Sequence, residues 1–546
     1  MEEPRPAPAR NPFDPYRLAS FALVLVSTSL SLMYCWIGCP LDLSSDEAHY
    51  WEWSRRLDWS YYSKGPLIAW LIRASCEVFG AWSISETGDQ AAAVRLPAVF
   101  CHAGILLGSY SLASGVFRTS RAGLLVVLGA ASLPVVRVGS VLMTIDPPFL
   151  CCWCWAMYCV WKAISTRDRG LGWWVGAALF AAFGTLAKYT MVLFPVAIGA
   201  WLLCHHRRGF RRPGIWILFL GSLLGWFPVL VWNLGHDWVS FRHVAGQVAG
   251  GTTTETGIRW MGPVAYLGAQ FGMLLGLWLC AFLAAAWRFR PWRTTDPGIQ
   301  LLWWCSVPVW CLFGLVSLVK AGQPNWPAPA YIGAVILSVA WLRSHLEGAY
   351  RGWLRCCFGL CIPAGLVVSL AMHYPSAVRP TLARLVPGPT PERPLPIRGV
   401  DITARLVGWK HLAVEIDRLR LRCLAESGEA PVLAGSHWTI PGHLRFYCDG
   451  QPEAYSVGLP DQIDRHSQYD FWRPNPLKDA QEFQGRTFII VGDLGANLRR
   501  AFDRIEPGIH IIHSEDGIPI AAWMVWVCHG FRGFPDSGLE GCERRY

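Results

Sequence analysis

The chain has 546 residues, 53% of them hydrophobic and only 16% charged, with a mean hydropathy of +0.29. These values exclude an ordinary soluble protein of this length, whose water-facing surface needs more charge. The formal charge of +10 requires no nucleic-acid partner, because most Lys and Arg of the apolar part lie in short loops, the pattern that orients a membrane protein.

Residues 18–38 carry no charge and as a helix rise about 30 Å, the thickness of a bilayer core. The run is longer than the roughly 7–15 apolar residues of a cleavable signal peptide. Further spans are predicted at 91–117, 121–141, 147–163, 172–187, 189–204, 213–233, 261–287, 299–319, 328–343 and 353–373, eleven in all. With the N-terminus inside, Arg118 and Arg121, Lys162 with Arg167 and Arg169, Arg207 to Arg212, Arg288 to Arg293, and Arg343 with Arg351 and Arg355 all fall on the cytoplasmic side, as the positive-inside rule demands. The loops 39–90, 142–147, 234–260 and 320–327 then share the outer face with the C-terminal tail. The location expected is a cell (inner) membrane, crossed many times.

Residues 1–374 form the membrane domain on this reading, 375–400 a Pro-rich extended linker, and 401–546 a small outer α/β domain. Within the tail, Leu406, Trp409, Leu412, Ile416, Leu419 and Cys423 recur at helical spacing. The runs at 487–491, 509–512 and 524–527 read as buried strands. Cys423, Cys448, Cys528 and Cys542 leave one or two outer disulfides open.

The first outer loop is the most informative. Ser44 and Glu47 fit a capping box and open a helix of about three turns. Tyr50, Trp51, Trp53, Trp59, Tyr61 and Tyr62 are expected to hold it flat at the membrane interface. Asp46 and Glu47 can be explained simply as acids at a helix N-terminus. Residues Asp46 to Ser54 (DEAHYWEWS), with the KGPLIAWLI run at 64–72, resemble the first outer loop of the protein O-mannosyltransferase and aminoarabinose-transferase superfamily, the family 39-type GT-C membrane glycosyltransferases. The resemblance continues through 91–100, 143–149 (MTIDPPF), 184–190 (GTLAKYT), 231–243 and 320–333 (KAGQPNWPAPAYIG). Gly65 stands where family members often carry a proline.

The resemblance implies a polytopic α-helical GT-C fold, with interfacial helices in the first outer loop, and an inverting transfer of sugar from a polyprenyl-phosphate donor to a glycan, lipid or protein acceptor. Asp46 is the implied general base, taking the acceptor's proton. No partner acid is required, since phosphate leaves as a stable anion. Lys64, Arg95, Lys188 and Lys320 are candidates to hold the donor phosphate, although basic residues near helix ends also snorkel to headgroups. Glu47, Tyr50, Asp146, Tyr189, Asn325 and Trp326 are candidate substrate contacts. Asp146 also suits a helix cap, and Trp326 an interface anchor. His236, Asp237 and His243 show no recognised ligand spacing, and neither metal nor other cofactor is expected. The competing classes are a polytopic transporter and a membrane sensor with an outer ligand-binding domain; charges inside spans or internal repeats would favour the transporter.

Overall fold

The computed structural model describes residues 13–166, 170–249, 258–345 and 351–535. All eleven expected segments are helical, but several are broken. Helix α1 (Pro15–Met33) continues into a π turn at Tyr34–Gly38. The 121–141 segment ends as a helix at Ser132, and Pro134 opens a separate short turn, Pro134–Val138. The 261–287 segment is two helices, Gly262–Met273 and Leu277–Arg288, bent by 112°. The bend uses left-handed backbone at Leu275 and Gly276, which the glycine accepts without steric cost. Among the described residues six helices are long and apolar enough to cross a membrane, seven if the bent pair is one span. The chain is a polytopic helical membrane protein.

Helix α2 (Ser45–Arg55) opens on the expected capping box between Ser44 and Glu47. Helix α3 (Leu67–Thr87) is 21 residues long and apolar, a length that suits a span, yet both of its ends meet the same face of the bundle. Gly65, just before it, lies on the Leu186 carbonyl. Beyond its other end, Gln90 accepts a bond from the Trp51 indole at 3.2 Å, and Asp89 pairs with Lys410 of the tail at 2.8 Å. Lys188 and Trp409, neighbours of these two ends, line one cavity. So α3 lies across the bundle, and the chain re-enters it through α4 (Ala91–Val116).

The aromatic residues of the first loop are not interface anchors as expected. Tyr50, Trp51, Trp53, Tyr61 and Tyr62 are buried, and Trp59 alone of the six is exposed. They pack against the tail: Phe446 meets Trp51 edge-on, ring centroids 4.9 Å apart. Arg137 is a charge inside the expected span 121–141. It donates to Ser27 Oγ at 2.6 Å, and that hydroxyl bonds His102 at 3.1 Å.

The tail is a mixed sheet under a long helix. Strands β1 (Val432–Gly435), β2 (Ala454–Ser456) and β3 (Phe488–Val491) pair in parallel in the order β2-β1-β3. The long β6 (Ile518–Phe531) continues the sheet antiparallel to β3 and holds β4 (Phe502–Ile505) and β5 (Ile509–Glu515). Alternation along the strands serves two cores. Leu433, Ile489 and Val491 face the helix Trp409–Ser427 through Leu412 and Ile416, while Ala434, Phe488 and Ile490 face Leu498 and Phe531. Cys423, Cys448 and Cys528 are buried free thiols; Cys542 lies outside the described residues.

Residues 375–400 are not an extended linker. They contain the short helices Pro375–Ala377, Arg379–Leu385 and Pro396–Gly399. Arg379 pins the segment, bonding Asp401 at 2.7 Å and also Glu515. The tail in turn is clamped onto the first loop. Arg445 pairs with Glu52 at 3.1 Å, the Tyr469 hydroxyl donates to Glu52 at 2.6 Å, and the Tyr447 hydroxyl accepts from the Leu43 N–H at 2.7 Å. Asp42 accepts the Trp409 N–H at 2.8 Å, and so caps a helix from outside its own chain segment.

Candidate active site

A cavity of about 1090 Å³ lies between the membrane helices and the tail. It is built outward from Glu47, which is wholly buried. Its carboxylate accepts the Ser44 N–H at 2.8 Å, the Met143 N–H at 2.9 Å and the Arg95 guanidinium at 3.1 and 3.3 Å. One side chain thereby ties the start of α2, the first turn of α4 and the loop leading to Asp146. Arg95, itself 2% exposed, also donates to the Leu41 and Asp42 carbonyls at 3.0 and 2.7 Å.

This corrects two expectations. Arg95 and Glu47 satisfy each other and the backbone and do not line the cavity; they hold the loop rather than phosphate or substrate. Tyr189 is also absent from the lining. Its ring stacks on Trp226 at 5.3 Å and its hydroxyl meets Ser60 at 3.2 Å.

The other expected residues come together. Asp46, Tyr50, Lys64, Asp146, Lys188, Lys320, Asn325 and Trp326 all line the cavity. Asp146 is engaged: Lys188 donates to one oxygen at 2.7 Å and Asn325 to the other at 2.5 Å. Lys320 donates to the Gly246 carbonyl at 3.2 Å. The loop carrying Lys320, Asn325 and Trp326 is held by Gln270, which donates to the Pro324 carbonyl at 3.2 Å. Gln270 belongs to the first arm of the bent pair.

Asp46 differs from Asp146. Its carboxylate makes no ion pair or hydrogen bond among the described residues, and it is open to the cavity. Although its surface opens to the cavity, it is surrounded by protein at depth, and this desolvation raises its pKa. Lys64 works against the rise, and Asp146 adds to it. Lys64 likewise has no carboxylate partner among the described residues. Burial first, and then Lys188, bring its ammonium down to about 8, against the pull of Asp46 and Asp146. Gly65 explains the local backbone: a Cβ there would stand 2.2 Å from the Leu186 carbonyl oxygen, so no side chain fits beside Lys64.

Several cavity residues were not among the expected site residues. Arg465, from the tail, reaches His243 at 3.4 Å and lies over the Trp438 ring at 5.5 Å. Its charge acts on both Asp46 and Lys64. His49 is buried, and desolvation followed by Arg465 lowers it to about 3. His243 is lowered to about 3 by burial and then by Arg465 and Lys64. Both imidazoles are therefore neutral. Only their nearness to Arg465 in space, set by the docked tail, could have revealed them.

A curated relative, the lipid A galacturonosyltransferase RgtD of Rhizobium johnstonii, is 31% identical over 350 residues, 63% of this chain and 67% of its own length. The chain belongs to the GT-C glycosyltransferases of the protein mannosyltransferase and ArnT type. The family model described as dolichyl-phosphate-mannose-protein mannosyltransferase matches residues 63–232. The fold is that of ArnT from Cupriavidus metallidurans bound to undecaprenyl phosphate, with a TM-score of 0.61 at 18% identity over 93% of this chain and 97% of that one. The apo form of the same protein aligns with a TM-score of 0.56 at 16% identity, over 93% and 98% of the two chains. The glycosyltransferase is thus an enzyme, and the transporter and sensor readings give way.

Proposed function

We propose that this glycosyltransferase moves a sugar from a polyprenyl-phosphate donor to a lipid acceptor at the outer face of a bacterial inner membrane, with Asp46 as general base. The observation that carries the reading is the division of labour between the two carboxylates in the cavity. Asp146 is held by Lys188 and Asn325, whereas Asp46 is free, and its raised affinity for protons suits a base.

The acceptor hydroxyl attacks the anomeric carbon and gives its proton to Asp46, while the bond from that carbon to the phosphate oxygen breaks. The electron pair leaves with polyprenyl phosphate, and the anomeric centre inverts. Lys64, Lys188, Lys320 and Arg465 supply the charge that stabilises the departing phosphate. Six basic and two acidic side chains line the cavity, a surplus suited to an anionic donor. The relative named for galacturonosyl transfer to lipid A makes an acidic sugar a fitting cargo. Asn325 and Trp326 offer a hydrogen bond and a ring face to that sugar. The outward-facing orientation is supported by the Tyr189–His205 helical stretch, which has Lys188 and the cavity at one end and Arg207, Arg208 and Arg211 at the other.

With purified protein and a polyprenyl-phosphate sugar, Asp46→Asn is expected to cut release of polyprenyl phosphate by about 10²–10⁴-fold while the protein stays folded. Turnover at the wild-type rate would end the assignment. The four cations make a metal unnecessary in this reading, so a chelator is expected to leave turnover unchanged; activity lost to chelator and restored by a divalent ion would refute that.

A further inference from the structure

Two of the six basic residues in the cavity wall have no role in the donor-phosphate reading above. Arg398 and Arg405 come from the segment that joins the membrane helices to the tail sheet, and both are exposed to the cavity. Neither guanidinium has a carboxylate partner among the described residues. Other arginines are paired: Arg379 is buried against Asp401 and Glu515, and the half-buried Arg445 meets Glu52 and Glu453. The short helices that carry them, Pro396–Gly399 and Ile402–Leu406, pack against each other, so two like charges are held near one another, an arrangement that costs free energy until an anion arrives. The pair forms a second positive centre.

The backbone that carries the pair is anchored on both sides of Arg405. Asp401, between the two arginines, is locked by Arg379 at 2.7 Å. After Arg405, the Leu406 carbonyl accepts the Asp42 N–H at 2.7 Å, and the Trp409 N–H is held by the Asp42 carboxylate. The cavity wall they share is apolar where the membrane helices supply it, through Tyr34, Val138, Val141, Leu142 and Met372. The volume of about 1090 Å³ lies at the upper end of the roughly 300–1,000 Å³ of ordinary ligand sites, so the cavity is large for a donor sugar alone.

We propose that Arg398 and Arg405 form an acceptor subsite that holds the phosphate monoester of an anionic lipid, whose apolar part lies along the membrane-helix wall and whose hydroxyl is thereby presented to Asp46. Paired guanidinium forks match phosphate oxygens in charge and geometry. This inference rests on the glycosyl-transfer reading for the identity of the bound lipid as acceptor, but the site can be tested without turnover.

The probes are lipid A carrying its phosphates, the same lipid A after phosphatase treatment, and polyprenyl phosphate, each titrated against the full chain in detergent by native mass spectrometry. The double variant Arg398→Gln, Arg405→Gln is expected to bind phosphorylated lipid A about ten-fold or more weakly. Dephosphorylated lipid A should bind wild type and variant alike, and polyprenyl phosphate should be unaffected. In turnover, the loss should fall in the acceptor KM. Equal affinity for phosphorylated lipid A in wild type and variant overturns the proposal, as does equal loss of both lipid A forms. Loss confined to polyprenyl phosphate assigns the arginines to the donor and also overturns it. Because binding is read directly, an active Asp46→Asn enzyme would remove the mechanism and leave the subsite standing, and an unaltered arginine variant would do the reverse.

Discussion

Lys64 offers the sharpest test of the electrostatics. Its ammonium faces the cavity and is brought from 10.5 to about 8 by burial and by Lys188. If it binds the donor phosphate as a cation, the free enzyme must lose donor affinity as that proton leaves. The protonated fraction for a pKa of 8 falls from about nine-tenths at pH 7 to about one-tenth at pH 9, so kcat/KM for the donor should drop by roughly ten-fold over that range. The acid limb is set by the raised pKa of Asp46, since activity appears only as that carboxylate ionises. Lys64→Arg keeps the charge at every accessible pH and should move the alkaline limb beyond pH 9. The assay is polyprenyl phosphate release at subsaturating donor between pH 6 and 10. An alkaline limb unchanged by Lys64→Arg, or a wild-type profile flat to pH 10, would refute the argument.

Other expectations concern the frame of the site. Glu47→Gln leaves the buried Arg95 without its counter-charge and should cost about 3–5 kcal/mol, read as a fall in Tm of the detergent-solubilised protein. Adding Arg95→Met should recover part of that loss, and a single variant as stable as wild type would show that the pair does not hold the loop. Burial raises Glu52 to about 7, against the pull of Arg445 and Tyr469. The native state therefore holds a proton that the unfolded chain releases near pH 4.5, so the contribution of Glu52 to stability declines as pH rises from about 4.5 to 7 and is level above. Tm measured from pH 5 to 8 should show that decline, and Glu52→Gln should remove it; an identical slope in the variant would contradict the assignment.

Much was legible in the sequence for a physical reason: long uncharged runs have few ways to satisfy a backbone in lipid other than as helices. The eleven helical segments, the capping box at Ser44, the tail helix and three of the strands follow from local periodicity and end signals. The motif strings also pointed to Asp46, Lys64, Asp146, Lys188, Lys320 and Asn325, which lie on loops or helix ends that the cavity gathers. What failed was partner choice. Glu47 and Arg95 looked as available as Asp46 and Lys64, because no local pattern says which acid and base will neutralise each other. The first-loop aromatics looked like interface anchors because amphipathic rings suit headgroups and a protein core equally. Only the docking of the tail onto α2, through Glu52, Asp42 and the Leu43 N–H, decided that they are core. The same docking brought Arg465, Arg398 and Arg405 over a cavity whose catalytic motif lies far away in the chain. Sequence thus set the elements and the reaction class, and tertiary packing decided which charges are used for structure and which remain open to a substrate.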